Sequence, residues 1–161
     1  MTRTLLPDLT PDRVAAAARR VMARCDELAR VTATPGQIER VYLSTEHARV
    51  NRLAAEWMRE VGMRTRQDAA GNQIGRLDPS TASGTADRDA PALMIGSHLD
   101  TVPDAGRFDG IVGVLMALEV VRLLRVPTPS GEGSVSPLPF AIEVVAFSVD
   151  ECTRSGTALL G

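Results

Sequence analysis

An α/β fold, with helices packed on the faces of a sheet, is predicted by three features of this 161-residue sequence. Segments of helical periodicity alternate with short apolar runs, which is the pattern of α/β domains. Two of those runs, 92–97 and 140–147, are continuous enough to be strands with both faces buried. The hydrophobic content of 44% is sufficient for the core of one ordinary domain.

Two amphipathic helices are predicted in the first part of the chain. Thr10 followed by Pro11 and an acidic residue forms a helix start, and apolar residues at helical spacing continue this helix to about residue 30. Ser44 begins a second helix with one apolar face, and Gly62 ends it. Both helices fit an α/β sheet with helices on its faces.

Short strands follow, and a turn and two loops separate them. The pair Gly71-Asn72 is a turn signal between the first two strands. Segments 78–91 and 126–139 are rich in Ser, Thr, Gly and Pro, which is typical of surface loops. Strands are predicted over 63–67, 72–77, 92–97 and 140–147, and the third of these is expected to be short and buried.

A third helix is predicted to begin with Asp109 as its cap and to run to about Arg125. It is apolar on nearly all sides, so we expect it to be buried against the sheet. In α/β sheets, ligands bind in the crevice outside the carboxyl ends of the strands. His98 and Asp150 follow apolar strands, so both should lie at that edge.

Composition excludes several function classes. A net charge of −2 and an aromatic content of 3% give no basis for nucleic-acid binding, and no run is long and apolar enough for a membrane span. Cys25 and Cys152 form no CxxC pair, so neither a zinc knuckle nor a disulfide framework is predicted. Free thiols fit a reducing compartment, so we predict a cytoplasmic location. We interpret Cys25 as a core side chain, Cys152 as an incidental thiol and His47 as a surface histidine.

The residues that can carry chemistry form two groups at predicted strand exits. One imidazole with several carboxylates is a donor set for a divalent metal ion. Asp100 lies two residues after His98 on an extended chain, so its carboxylate can reach the imidazole and fix its tautomer. Asp109 offers a carboxylate that can bridge two cations. Of the pair Asp150-Glu151, one can bind metal while the other acts as general base.

The stretches Gly96–Val102 and Gly106–Val114 resemble the di-zinc aminoacylase/carboxypeptidase superfamily. Within it, they are most similar to the amidase branch of N-carbamoyl-L-amino-acid hydrolases, β-ureidopropionase and allantoate amidohydrolase. The stretches Asp68–Asn72 and Val144–Arg154 agree with that branch. The resemblance implies a partial three-layer, zinc-exopeptidase-like catalytic domain with a mixed sheet. It also implies that residues 1–161 are its N-terminal part, with the lid/dimerisation domain and the C-terminal return segment absent.

The resemblance assigns roles to the same residues. His98 and Glu151 would each bind a metal ion, Asp109 would bridge the two ions, Asp100 would orient His98, and Asp150 would be the general base. The implied cofactors are two divalent ions, Zn²⁺ or Mn²⁺, with Co²⁺ also fitting. The implied reaction is hydrolysis of a carbamoyl or ureido C–N bond in a small molecule, by a full-length protein that is a homodimer.

Two residues depart from the family pattern, and two alternatives to this function remain. Asp150 stands where the family has a longer glutamate, and Ser155 stands where it has an aromatic residue. The family also implies a cis peptide bond between Asp109 and Gly110. The chain could instead be a truncated gene product without activity of its own, or a dipeptidase or aminoacylase of the same superfamily.

Overall fold

The computed structural model describes residues 9–79, 86–125 and 138–151. Within these ranges no helix is long and apolar enough to cross a membrane. Cys152, Ser155 and most of the two predicted loops lie outside the described residues. The elements in chain order are α1 (Pro11–Ala29), α2 (Thr45–Glu60), β1 (Arg64–Gln67), β2 (Gln73–Leu77), β3 (Ala92–His98), α3 (Ile111–Arg125) and β4 (Ala141–Phe147).

The four described strands form one mixed sheet in the order β1-β2-β4-β3. β1 pairs with β2, and β2 with β4, in antiparallel fashion, whereas β3 and β4 are parallel. His98 is opposite Phe147 in this register, so the chain leaves β3 and β4 at the same edge of the sheet. The predicted α/β class and the mixed sheet are therefore confirmed.

Two of the three described helices, α2 and α3, pack on one face of this sheet, and α1 packs on α3. A side chain at Gly75 of β2 would meet Met58 of α2, and one at Gly113 of α3 would meet Ser97 of β3. The same face of β4 contributes Ile142, Val144 and Ala146 to the hydrophobic core. A second helical layer, which completes the expected three-layer arrangement, stays a prediction. Cys25 is fully buried in this core, as predicted.

The predicted helix boundaries follow local hydrogen bonding. The Thr10 hydroxyl accepts from the Arg13 N–H, and the Ser44 hydroxyl accepts from the His47 N–H at 3.0 Å. Gly62 ends α2 in the left-handed region with φ 78°, where glycine carries no steric cost. The start of α3 differs from the prediction, because Asp109 contributes its backbone carbonyl, which accepts from the Ile111 N–H at 2.7 Å.

Strand β3 is not buried, and this corrects the sequence-based prediction. Leu93 is 50% exposed and Met94 is 58% exposed. β3 pairs only with β4 and forms an edge of the described sheet, and α3 covers one of its faces. Continuous apolar character therefore did not distinguish an edge strand from a central one. Similarly, α3 buries most of its apolar residues but leaves Met116 and Val120 exposed.

Candidate metal centre

Three side chains that can bind a metal ion meet where β3 and β4 end. His98 is the last residue of β3, and its Nε2 lies 3.6 Å from Asp150 Oδ2 and 3.6 Å from Glu151 Oε1. One ligand atom from each residue lies within 4.8 Å of the others. An imidazole nitrogen and two carboxylates suit Zn²⁺ or a similar divalent ion. This group could therefore hold a divalent metal.

The other nitrogen of His98 faces Asp100. His98 Nδ1 is 3.0 Å from the Asp100 backbone carbonyl and 3.5 Å from its carboxylate. Nδ1 therefore carries the hydrogen and donates it, which leaves Nε2 as the atom that faces the two acids. The Asp100 side chain and carbonyl raise the pKa of His98 to about 9 in the absence of metal, against the opposing effect of burial.

Asp100 also connects the two strand exits. Its carboxylate is fully buried and accepts hydrogen bonds from the backbone N–H groups of Asp150 and Glu151, each at 3.2 Å to Oδ2. Hydrogen bonds from N–H groups to a carboxylate are shorter and stronger than those between neutral groups. Asp100 thus does more than face His98, because it also fixes the backbone from which both acidic side chains project.

Gly110 leaves open the space in front of His98. A Cβ at this position would overlap the imidazole at Cε1, Nε2 and Cδ2, and the residue has φ 65°. Only glycine meets both conditions without strain or collision. A Cβ at nearly equal distance from these three atoms would lie over the face of the ring, so glycine lets the imidazole keep the position in which Nε2 faces the two acids. The residues present therefore fit a bound metal ion.

The remaining predicted ligand, Asp109, lies near this group but not within it. Asp109 is exposed, and its carboxylate is not one of the three that lie within 4.8 Å of one another. Burial raises the pKa of the Glu151 carboxyl, and the charge of Asp109 raises it further. The Asp109–Gly110 peptide bond is trans, so the expectation of a cis bond was wrong.

The hairpin loop between β1 and β2 contacts the chain just after β4. The Asn72 side-chain carbonyl accepts from the Ser148 N–H at 2.9 Å, just before the acidic pair. Asp68 in turn accepts from both the backbone and the side-chain N–H groups of Asn72, each at 2.9 Å. The stretch Asp68–Asn72, which carries part of the family resemblance, therefore restrains the chain two residues before the acidic pair.

Two buried basic side chains near Asp100 were not predicted from the sequence. His47 is 3% exposed, so its interpretation as a surface histidine was wrong. Its ring contacts Tyr42 in an edge arrangement, and burial lowers its pKa. Arg40 is fully buried. The sequence did not predict this, because arginine is almost never fully buried without a partner.

No family model matches the chain. Allantoate deiminase 2 of Glycine max is 39% identical over 140 residues, which are 87% of this chain and 27% of that protein. The N-carbamoyl-L-amino acid amidohydrolase of Geobacillus stearothermophilus is 40% identical over 143 residues, which are 88% of this chain and 32% of that protein. This chain therefore spans about a third or less of the length of these relatives.

A solved structure is similar to this chain in both fold and sequence. The crystal structure of a hydantoinase/carbamoylase family amidase from Burkholderia ambifaria superposes with a TM-score of 0.71 at 37% identity. The match covers 89% of this chain and 32% of that one.

Proposed function

Because this chain is homologous to the allantoate deiminases and N-carbamoyl-L-amino-acid amidohydrolases, we propose that it forms part of a metal-dependent amidohydrolase. The bond hydrolysed is a carbamoyl or ureido C–N bond, in an N-carbamoyl-L-amino acid or in allantoate. One observation carries the proposal: an imidazole and two carboxylates converge at the adjacent ends of β3 and β4. That edge is where α/β sheets bind their ligands.

The proposed roles follow the exposure of each side chain. The side chain of Glu151 is 21% exposed and that of Asp150 is 49% exposed, while both lie at the same distance from His98. The more enclosed Glu151 is therefore assigned, with His98, as a metal ligand. The more open Asp150 faces arriving substrate and water, as a general base must.

The proposed cofactor is two divalent ions, Zn²⁺ or Mn²⁺, which His98, Asp109 and Glu151 would hold. When bound, such ions polarise the scissile carbonyl and lower the pKa of water. Asp150 removes the proton of the attacking water. Asp100 holds the His98 tautomer through Nδ1 and fixes the backbone of both acids, so that the donor atoms are in place before substrate arrives.

The wider assignments remain part of the same proposal. Residues 1–161 are proposed to form the N-terminal part of a catalytic domain in a longer protein, and the greater length of the relatives supports this. The longer protein is proposed to be a homodimer. A cytoplasmic location fits the buried free thiol of Cys25.

Metal titration of the chain tests the proposal directly. We expect Zn²⁺ or Mn²⁺ to bind in calorimetry and to raise the melting temperature, and His98→Ala to weaken binding at least tenfold because it removes the only imidazole of the group. His47→Gln is the matched control, since this histidine lies outside the group and should leave binding unchanged. Equal metal affinity of the wild type and His98→Ala would refute the assignment.

Activity is tested on the complete gene product with added metal. Ammonia release should be measured from N-carbamoyl-L-amino acids and from allantoate, with His98→Ala in parallel. We expect turnover of at least one substrate class by the wild type and a loss of at least a hundredfold in the variant. A complete protein that binds metal but releases no ammonia from either class would contradict the proposed reaction.

A further inference from the structure

The guanidinium of Arg40 joins two distant parts of the described chain. Its Nη1 donates to the carbonyls of Leu28 and Val31, where α1 ends, each at 3.2 Å. Its Nε donates to the Leu99 carbonyl at 3.3 Å. Leu99 lies between the metal-facing His98 and Asp100. One side chain thus links the end of a helix to the loop of the candidate metal centre.

The backbone of Arg40 holds the same loop from a second side. Its carbonyl accepts from the Thr101 N–H at 3.0 Å, and its N–H donates to the Thr101 hydroxyl at 2.9 Å. Two residues earlier, the Ile38 carbonyl accepts from the Asp104 N–H at 3.0 Å. Residues 38–40 therefore run alongside residues 99–104 and restrain them through both main chain and side chain.

Arg40 is charged although it is buried. Burial lowers the pKa of its guanidinium to about 10, so it stays protonated at neutral pH, and the negative charge of Asp100 opposes the lowering. Carbonyl oxygens alone do not compensate a buried cation fully, and Nη2 has no hydrogen-bond partner in the described part of the chain. A buried cation is costly, so its position behind Asp100 calls for a functional explanation.

We propose that Arg40 is a positioning residue for the metal centre, which acts through the Leu99 carbonyl and the charge of Asp100. This inference rests on the proposed function. Asp100 carries the effect forward, because its carboxylate holds the N–H groups of Asp150 and Glu151 and its carbonyl holds His98 Nδ1. Arg40 touches none of the reacting atoms. It restrains the loop that positions the donor atoms of the metal centre.

Three variants separate positioning from general stability. Arg40→Met removes the charge and the hydrogen bonds, whereas Arg40→Lys keeps the charge but loses the planar fork. Arg24→Met is the matched control, because Arg24 is a largely enclosed arginine that stacks over Trp57 and pairs with Glu60, away from the metal centre. Zn²⁺ affinity is measured by calorimetry. Amide hydrogen exchange of Asp150 and Glu151 is measured by NMR without metal.

We expect Arg40→Met to weaken Zn²⁺ binding about 10- to 100-fold, the range seen when a residue behind a metal ligand is removed. Arg40→Lys should fall between this variant and the wild type, and Arg24→Met should match the wild type. Exchange at the two amides should follow the same order, because Asp100 shifts when its counter-charge is lost.

Each result is decisive. The inference would be overturned if both Arg40 variants had the same amide exchange rates and the same Zn²⁺ affinity as Arg24→Met. If Arg40→Met does not fold, the amides of Arg40→Lys decide, with faster exchange than in Arg24→Met in support and equal exchange against. If the wild type binds no metal, the proposed function fails. The amide exchange rates measured without metal still test whether Arg40 positions the backbone of Asp150 and Glu151.

Discussion

At the scale of single residues, Gly110 is the most restrictive position of the candidate metal centre. It combines a positive φ with a direct approach to the His98 imidazole. Gly106 has a similar φ of 78°, but a Cβ there would meet nothing within 4 Å. Substitution of Gly106 therefore tests the effect of backbone conformation alone, whereas substitution of Gly110 also tests the effect of a collision with the His98 ring.

We expect Gly110→Ala to abolish measurable metal binding, because the new methyl group overlaps the ring at Nε2. Gly106→Ala should bind metal normally and lose only about 1–2 kcal/mol of stability, the cost of a left-handed L-residue. Calorimetry with Zn²⁺ and urea unfolding of both variants check this. Similar metal affinity in the two variants would show that metal binding does not depend on the position of the His98 ring.

His47 gives a pH dependence of known sign. Burial lowers its pKa below 6.5 in the folded chain, so below that pH the unfolded state takes up a proton that the folded state resists. The wild type should therefore lose stability relative to His47→Gln as pH falls from about 7 to about 5, with no such change above pH 7. Effects of His98 and the carboxyl groups are common to both chains and cancel.

Urea unfolding of the wild type and His47→Gln at several pH values measures this difference. A difference in unfolding free energy that stays constant across the range would mean that His47 is not buried as a neutral ring.

At the scale of elements, α1 and α3 are joined by a buried acid. Glu119 of α3 is 4% exposed, and its carboxylate meets Arg20 at 2.7 Å, Arg122 at 3.3 Å and Arg24 at 3.8 Å. Apolar packing brings the helices together, and this network fixes how they face each other. Removing the acid leaves guanidinium groups of both helices close together without compensation.

We expect Glu119→Gln to destabilise the chain by about 1.5–3 kcal/mol, because it removes a buried carboxylate that accepts charge-assisted hydrogen bonds, while its main arginine partners are partly exposed. Asp26→Asn is the control, since its pair with Arg107 at 2.5 Å is exposed and should be worth less than about 1 kcal/mol. Urea unfolding compares the two. Equal losses would show that Glu119 is solvated in solution.

At the scale of the whole molecule, the described sheet presents an apolar edge. β3 has β4 as its only partner, and its Leu93 and Met94 side chains are half exposed or more. An exposed apolar edge strand is a template for pairing with another chain. The isolated chain is therefore expected to self-associate through β3.

Met94→Lys should reduce this association, because a charge on an edge strand opposes pairing. Met22→Lys on α1 is the matched control, since Met22 is also exposed but lies on a helix. Sedimentation velocity over a range of concentrations measures both. Equal association of the two variants and the wild type would place the contact elsewhere.

Features that depend on neighbouring residues could be predicted from the sequence alone. The caps at Thr10 and Ser44 and the stop at Gly62 were predicted because each acts through hydrogen bonds or φ angles within a few residues. Helical spacing and apolar runs located the elements, and the clustering of His98 with acidic residues indicated metal chemistry.

Burial and the pairing of distant polar groups depend on tertiary packing, and local sequence patterns did not predict them. The exposure of β3 depends on which strands pair with it, and periodicity carries no information on that order. Arg40 is buried against Leu99, 59 residues away, and Asp100 accepts from the Asp150 N–H, 50 residues away. Contacts of this range arise from the pairing of β3 with β4 and the packing of the helices, so local sequence cannot specify them.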